Sequence, residues 1–207
     1  LRNVINKGLS EKDIISASRK LVEAGLFKLK LYLMIGLPCE TDEDLEEFLH
    51  LVRKIRAEID PIGKKKRRLC EITVSVNSFV PKAWTPFQYH PFGVAARMET
   101  DMAVSGESAV TELKRKIRLL RKGLKEVANT HTSFDRPDNV LFQAVLARGD
   151  RRLAEVLLEI AASGISWRQA LKHHGLSVEL FATRQYDSES KMAWEIIDHS
   201  IDAGYLW

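Results

Sequence analysis

The fold is decided by the stretch from Leu29 to Asp44, which reads LKLYLMIGLPCETDED. A run of seven strand-compatible residues stops at Gly36 and Pro38, and an acidic helix start follows at once. The odd positions of the run are aliphatic and the even ones mostly polar or amphipathic, so one face is expected to be buried and the other wet. This pattern predicts the strand–turn–helix joint of an α/β protein, a type of fold that binds ligands at the carboxyl ends of its parallel strands.

The same pattern returns after one helix. An apolar stripe of helical spacing follows Thr41, and we expect that helix to end at Pro61 and Gly63. Glu71 to Phe79 then alternates as a second strand. Two strands joined by a helix favour a parallel βαβ unit, and a half-exposed antiparallel sheet is the alternative. The wet face of the two strands would carry Lys30, Tyr32, Met34, Thr73, Ser75 and Asn77. That composition suits an open barrel with a polar cavity.

The rest of the chain is predicted to be helical. A long amphipathic helix is expected from Val110 to Val127, and the Pro- and aromatic-rich segment Phe79 to Phe92 reads as an ordered loop. Thr130 to Asn139 is polar and reads as a boundary, and no strand is predicted after it. We therefore expect a βα domain over residues 1–128 and a small helical appendage over residues 139–207.

Composition excludes several classes of protein. The 207 residues are 45% hydrophobic and 29% charged, and no apolar run is long enough to span a membrane. Two cysteines, Cys39 and Cys70, make neither a disulfide framework nor a metal-ligand spacing, so no metal site is predicted and a cytoplasmic location is expected. The chain starts at Leu1, almost inside a helix pattern, and we expect it to be a piece of a longer chain.

Positive charge is concentrated in two places. Lys64 to Arg68 is an unbroken basic run, and Lys114 to Lys125 holds seven basic residues without an acidic one, within a net charge of +4. Solvated surface is the ordinary interpretation. The alternative is one positive surface for phosphates, in which case the chain would be a non-catalytic α/β module that binds RNA or an acidic partner.

Three motifs, in order, resemble those of radical S-adenosylmethionine (radical SAM) enzymes. Leu31 to Thr41 resembles their fifth-strand motif, an aliphatic strand followed by G-[LF]-P-x-E-T. Leu1 to Gly8 is similar to the segment after their fourth strand. Val74 to Lys82, with Thr85-Pro86-Phe87, resembles their sixth strand and the following loop. The tail, with Ala144 to Leu153 and Trp194 to Asp198, resembles the C-terminal extension of an uncharacterised radical SAM group that often carries a cobalamin-binding-type domain upstream.

The resemblance implies the C-terminal half of a partial (β/α)6 TIM-like barrel with parallel strands, followed by a small helical region. Such enzymes hold a 4Fe–4S cluster through a C-x3-C-x2-C loop and cleave SAM to a 5′-deoxyadenosyl radical, which abstracts a substrate hydrogen. Iron–sulfur clusters need several thiolates, and this chain has two cysteines. We therefore expect no cofactor on this chain and no activity from it alone; SAM, the cluster and in some members cobalamin would belong to the parent protein.

The residues that the resemblance assigns to the adenosine side of the SAM site are Met34, Gly36, Asn77, Phe79 and Val80. Simple core filling is the alternative for Met34, and Glu40 is expected to be structural because it lies four residues after Gly36. No catalytic residue is predicted. The expected partner is the missing N-terminal half of the same chain. A barrel cut before Leu29 would leave a strand edge open, and through that edge we expect self-association.

Overall fold

The structure, a computed structural model, describes residues 7–93, 105–201 and 203–206. Most of the predicted Leu1-to-Gly8 motif therefore lies outside the described residues. The strands and α-helices are α1 (Glu11–Glu23), β1 (Lys28–Ile35), α2 (Asp42–Lys65), β2 (Glu71–Ser78), α3 (Gly106–Lys125), β3 (Thr130–Phe134), α4 (Pro137–Arg148), α5 (Leu153–Ser163), α6 (Trp167–His173) and α7 (Ala203–Leu206). A 3-10 turn at Pro86–Tyr89 and a π-helical turn at Glu179–Thr183 complete the described elements.

The three strands form one parallel sheet in the order β1-β2-β3. This confirms the α/β class and the parallel arrangement, and it excludes the antiparallel alternative. The segment Thr130 to Asn139, which was interpreted as a polar boundary, contains a third strand that was not predicted, since Thr130–Phe134 pairs with β2 in the register Ile72↔Thr130 to Val76↔Phe134. The third strand shows no apolar alternation, because four of its five residues are threonine, histidine or serine. The β propensity of threonine and phenylalanine is the local signal for this strand.

The two faces of the sheet differ as the alternation predicted. On β2, Ile72, Val74 and Val76 are buried, and Thr73 and Ser75 between them are half-buried. On β1, Leu29 and Ile35 are buried while the even positions are exposed. The buried face shares its core with the apolar sides of α2 and α3, which are also buried: Leu45, Leu49, Val52, Ile55 and Ile59 on α2, with Ile117, Leu120 and Leu124 on α3.

Helix α2 passes through the point where it was predicted to stop. It continues past Pro61 and Gly63 to Lys65, so the predicted end was wrong. A proline inside a helix removes one backbone hydrogen bond, but the acceptor that loses it, the carbonyl of Ala57, belongs to an exposed residue and can bind water. Gly63 is buried, and a Cβ there would lie 2.7 Å from the carbonyl oxygen of Arg68, so glycine lets the chain double back closely.

The described contacts group the chain into two compact units. The sheet unit contains the chain up to Asn77 and the segment Lys114–Asp135. The helical unit contains Ser78–Leu113 and the chain from Arg136 onward. The predicted domain division at residues 128 and 139 stays a prediction.

The helical unit joins the loop after β2 to the C-terminal segment. That segment was predicted to be helical, and α4, α5 and α6 confirm this. The amide of Phe92 donates to Ala182 at 2.9 Å, and the amide of Tyr186 donates to Tyr89 at 3.1 Å. The loop is thus ordered, as predicted. Across the described residues, none of the helices combines the length and the apolar character that a membrane crossing requires.

Candidate functional site

The candidate site is the carboxyl edge of the sheet, where β1, β2 and β3 end together. Gly36 follows β1 with a φ of +80°, a conformation that glycine adopts without strain. Just before it, Met34 points to the open face and is 39% exposed. Asn77 lies at the end of β2 and is exposed. Such an edge, with a close turn and an accessible face beside it, is where parallel sheets bind ligands.

The open face of the sheet is lined by short polar side chains. Ser75 lies beside Ser133 of β3, and their hydroxyls are 3.2 Å apart. Thr73 is paired with His131, which is exposed. The third strand therefore widens the wet face that the sequence predicted on the first two strands.

At the edge itself, Asn77 meets a carboxylate that sequence reasoning missed. Its Nδ2 lies 3.3 Å from both carboxylate oxygens of Asp135, the residue directly after β3. The amide of Asp135 in turn donates to the carbonyl oxygen of Val76 at 3.3 Å. Asp135 was not predicted as a site residue because β3, the strand that brings it to this edge of the sheet, was not predicted.

The loop after β1 is closed by a buried carboxylate. Both oxygens of Glu40 accept the amide hydrogen of Gly36, at 2.9 and 3.0 Å. Oε1 also accepts from Nζ of Lys116 at 2.6 Å, and the two side chains are 0% and 1% exposed. The carboxylate is thus fully engaged inside the protein, as expected for a structural residue.

A second ion pair ties the same turn of α3 to the start of α2. Arg115 donates to both carboxylate oxygens of Asp42, at 2.8 and 2.6 Å. The hydrogen bonds from Arg115 lower the pKa of Asp42 below its ordinary value. This pair is nearly half exposed, so it is expected to add little stability.

Lys116 is a buried residue of the candidate site, although its position in a basic run gave no indication of this. It was counted among the cations of Lys114 to Lys125, yet it lies in the apolar stripe, three residues after Leu113 and four before Leu120. That spacing puts all three on one helix face. A charged residue inside an apolar stripe is the signal that could have found it.

The five predicted adenosine-side residues divide between the units. Met34, Gly36 and Asn77 belong to the sheet unit and mark the ends of β1 and β2. Phe79 and Val80 belong to the helical unit. There the ring of Phe79 meets that of Phe87 edge-on at 5.2 Å, and Val80 is buried.

The two cysteines flank different strands, one after the carboxyl end of β1 and the other before the amino end of β2. Cys39 is exposed in the loop after β1, whereas Cys70 is buried just before β2. Burial raises the pKa of the Cys70 thiol. Within residues 7–93, 105–201 and 203–206, no group of three or more histidine, cysteine or acidic side chains could hold a metal ion.

The basic runs are separate features of the sheet unit. The amino end of its α3 segment pairs with Asp42, and Glu126 just past α3 pairs with Arg53 at 3.3 Å, so α3 runs alongside α2 in the same direction. Lys64 to Arg68 lies beyond that contact, in the last turn of α2 and the residues directly after it. The cations of α3 that stay exposed are Lys114, Arg118, Arg121, Lys122 and Lys125.

The chain is distantly similar to a protein of an archaeon. The chain is 31% identical over 157 residues to a protein of Methanocaldococcus jannaschii that bears the name "Uncharacterized protein MJ0966". The match covers 76% of this chain and 29% of that protein, so the chain spans less than a third of its relative. No protein-family model and no solved structure matches the chain.

Proposed function

We propose that this chain is the C-terminal portion of a radical SAM iron–sulfur enzyme and supplies the adenosine side of its SAM site. The observation that carries the proposal is the G-L-P-C-E-T loop, which turns at Gly36 at the carboxyl end of a parallel strand and is closed by the buried Glu40. The polar open face beside it has the character of a barrel interior that holds a ligand. In this proposal β1 and β2 are the last two strands of the partial barrel, and β3 extends the sheet beyond them.

The chain's own residues suit adenosine and do not suit the cluster. Met34 offers an apolar, polarisable surface to a purine ring, Gly36 allows close approach, and Asn77 offers an amide for hydrogen bonding. The cluster needs several thiolates, and Cys39 and Cys70 lie near opposite ends of strands. SAM and the cluster would supply the radical chemistry; this chain would orient the nucleoside.

The outer edge of β1 supports the idea of a missing half. Among the described strands β1 has one neighbour, β2, and stands at the end of the sheet. In the proposed enzyme the preceding barrel strand pairs with this edge. For the isolated chain we expect self-association through the edge or the open face, and sedimentation that shows a strict monomer would contradict this.

The proposal is tested with a matched pair of variants in the longer protein, reconstituted anaerobically with iron and sulfide. Met34→Asp puts a charge against the base and is expected to raise the KM for SAM about tenfold or more. Lys30→Asp changes the same face of β1 about 13 Å nearer the amino edge and is expected to leave that KM unchanged. Equal effects of the two variants would refute the assignment of Met34.

The exposed cations of α3 favour a second candidate, an RNA-binding module. Arg118, Arg121 and Lys125 lie on the solvent side of the helix, where they could contact phosphates. If this is the function, RNA affinity falls steeply with salt, with a log–log slope of about −0.7 for each phosphate contacted on a single strand. Binding without salt dependence, or none at low salt, would remove this candidate.

A further inference from the structure

The ion pair of Lys116 and Glu40 is almost completely buried, and a contribution to stability does not by itself explain this burial. Both side chains are out of water, at 1% and 0% exposure. Two charges lose their hydration on such burial, and well-packed apolar residues of similar volume often give equal or greater stability. The burial of the pair is therefore better explained by the groups that it holds in position.

That role is visible in what Glu40 holds. Its two oxygens accept the Gly36 amide, and its own amide donates to the Leu37 carbonyl oxygen at 3.2 Å. Residues 36–40 thus close into a small ring around one carboxylate. Lys116 neutralises that carboxylate from α3, so a residue 76 positions away along the chain keeps it inside the protein.

We propose that Lys116 is a positioning residue: it retains Glu40 inside the sheet unit, and Glu40 in turn holds Gly36 in the single turn that admits the adenosine part of SAM. The ligand named here rests on the proposed function, whereas the effect on the loop does not. Without its cation, the Glu40 carboxylate moves toward water, and the Gly36 amide loses its acceptor.

The chain offers a matched control at the opposite edge of the sheet. Arg56 is another buried cation of the sheet unit, and it donates to the carbonyl oxygens of Cys70 and Asn129, which precede β2 and β3. Arg56→Met removes a buried charge as Lys116→Met does, but it leaves the carboxyl edge untouched. The two variants separate a general loss of stability from a local loss of loop order.

The first readout is amide hydrogen exchange in the 207-residue chain. The exchange rate of Gly36 is divided by that of Val52, in the middle of α2, within each variant. Lys116→Met is expected to raise this ratio about 10- to 100-fold, the equilibrium worth of a hydrogen bond to a charged group. Arg56→Met is expected to leave the ratio unchanged. An unchanged ratio in Lys116→Met overturns the proposal.

Charge-free double variants keep the test decisive if Lys116→Met does not fold. Lys116→Met with Glu40→Gln retains an acceptor for the Gly36 amide, whereas Lys116→Met with Glu40→Leu removes it. Both lack a buried charge and are expected to fold. The ratio should stay near that of the natural chain in the first and rise about 10- to 100-fold in the second. Equal ratios in the two overturn the proposal.

The second readout is SAM affinity in the longer protein. Lys116→Met is expected to weaken binding about tenfold or more, in proportion to the loss of loop order, while Arg56→Met leaves affinity unchanged. If the loop loosens and affinity does not change, the ligand part of the inference is wrong. If the unaltered protein binds no SAM, the proposed function fails, and the exchange ratio still decides whether Lys116 positions the loop.

Discussion

Arg56 joins the amino ends of two strands from within the sheet unit. Its Nη1 donates to the carbonyl oxygen of Cys70 at 2.6 Å, and its Nη2 donates to that of Asn129 at 2.9 Å. These residues lead directly into β2 and β3, and the Arg56 side chain is 9% exposed. Arg56→Met is therefore expected to loosen the amino edge of the sheet while the carboxyl edge keeps its structure.

The magnitude follows from the two backbone carbonyls that Arg56 holds, because its other contacts, with Asp60 at 3.2 Å and with the Thr130 hydroxyl at 3.5 Å, are partly exposed and add little. A hydrogen bond to a charged group contributes about 1.5–3 kcal/mol, so two contribute about 3–6 kcal/mol. Each carbonyl keeps a second donor, because Asn129 Nδ2 lies 2.9 Å from the Cys70 oxygen and the Ile72 amide 3.1 Å from the Asn129 oxygen. Both carbonyl oxygens therefore keep a hydrogen-bond donor in the variant. We therefore expect the low end, a loss of about 3 kcal/mol in the free energy of unfolding.

Urea unfolding followed by far-UV circular dichroism measures this loss, and hydrogen exchange of the Ile72 amide locates it. The control is Arg53→Met, about one turn earlier on α2, which removes an exposed pair with Glu126. That control is expected to lower stability by less than about 1 kcal/mol. If Arg56→Met is no more destabilising than Arg53→Met, or if Ile72 keeps its protection, the reasoning about the amino edge is refuted.

Three further predictions use other parts of the chain. The hydrogen bond from His173 lowers the pKa of Glu159, so the stabilisation that this pair provides is present above the ordinary value of 4.5 and is lost as the pH falls through the lowered pKa. Glu159→Gln should therefore lower the Tm more at pH ~6 than at a pH below 4.5. An equal effect at both values would contradict this. Iodoacetamide at mildly alkaline pH is expected to label Cys39 in the native chain and to label Cys70 only after urea unfolds it, because Cys70 is buried and has a raised pKa. Mass spectrometry that finds both cysteines labelled in the native chain would disprove this. Gly123→Val should lower the free energy of unfolding by about 1–3 kcal/mol through overpacking, since even a Cβ at this position would lie 2.4 Å from a buried leucine of α2. An unchanged urea unfolding curve would contradict this, because it would show that the two helices move apart without loss of stability.

The sequence was sufficient where burial and periodicity agree. The alternating faces of β1 and β2 and the stripes of α2 and α3 are direct records of which side is apolar, so the elements and their faces could be predicted. The helix start at Ser10 is another local feature, since the Ser10 hydroxyl and the Asp13 carboxylate form a capping box. These features depend on residues close together in the chain.

The sequence was insufficient where long-range packing decides. Thr130–Phe134 becomes a strand because β2 offers it an edge, and α2 passes Pro61 because tertiary packing outweighs one lost hydrogen bond. Lys116 and Glu40 were found on different grounds, one as surface charge and one as a structural residue. Only the fold shows that they meet, because no local pattern links residues so far apart.

The radical SAM proposal is tested most directly with the longer protein, purified and reconstituted anaerobically with iron and sulfide, then reduced in the presence of SAM. Chromatography would measure 5′-deoxyadenosine and methionine as products. An iron–sulfur absorption spectrum and the formation of both products are expected. A protein that neither assembles a cluster nor cleaves SAM under these conditions would contradict the proposal.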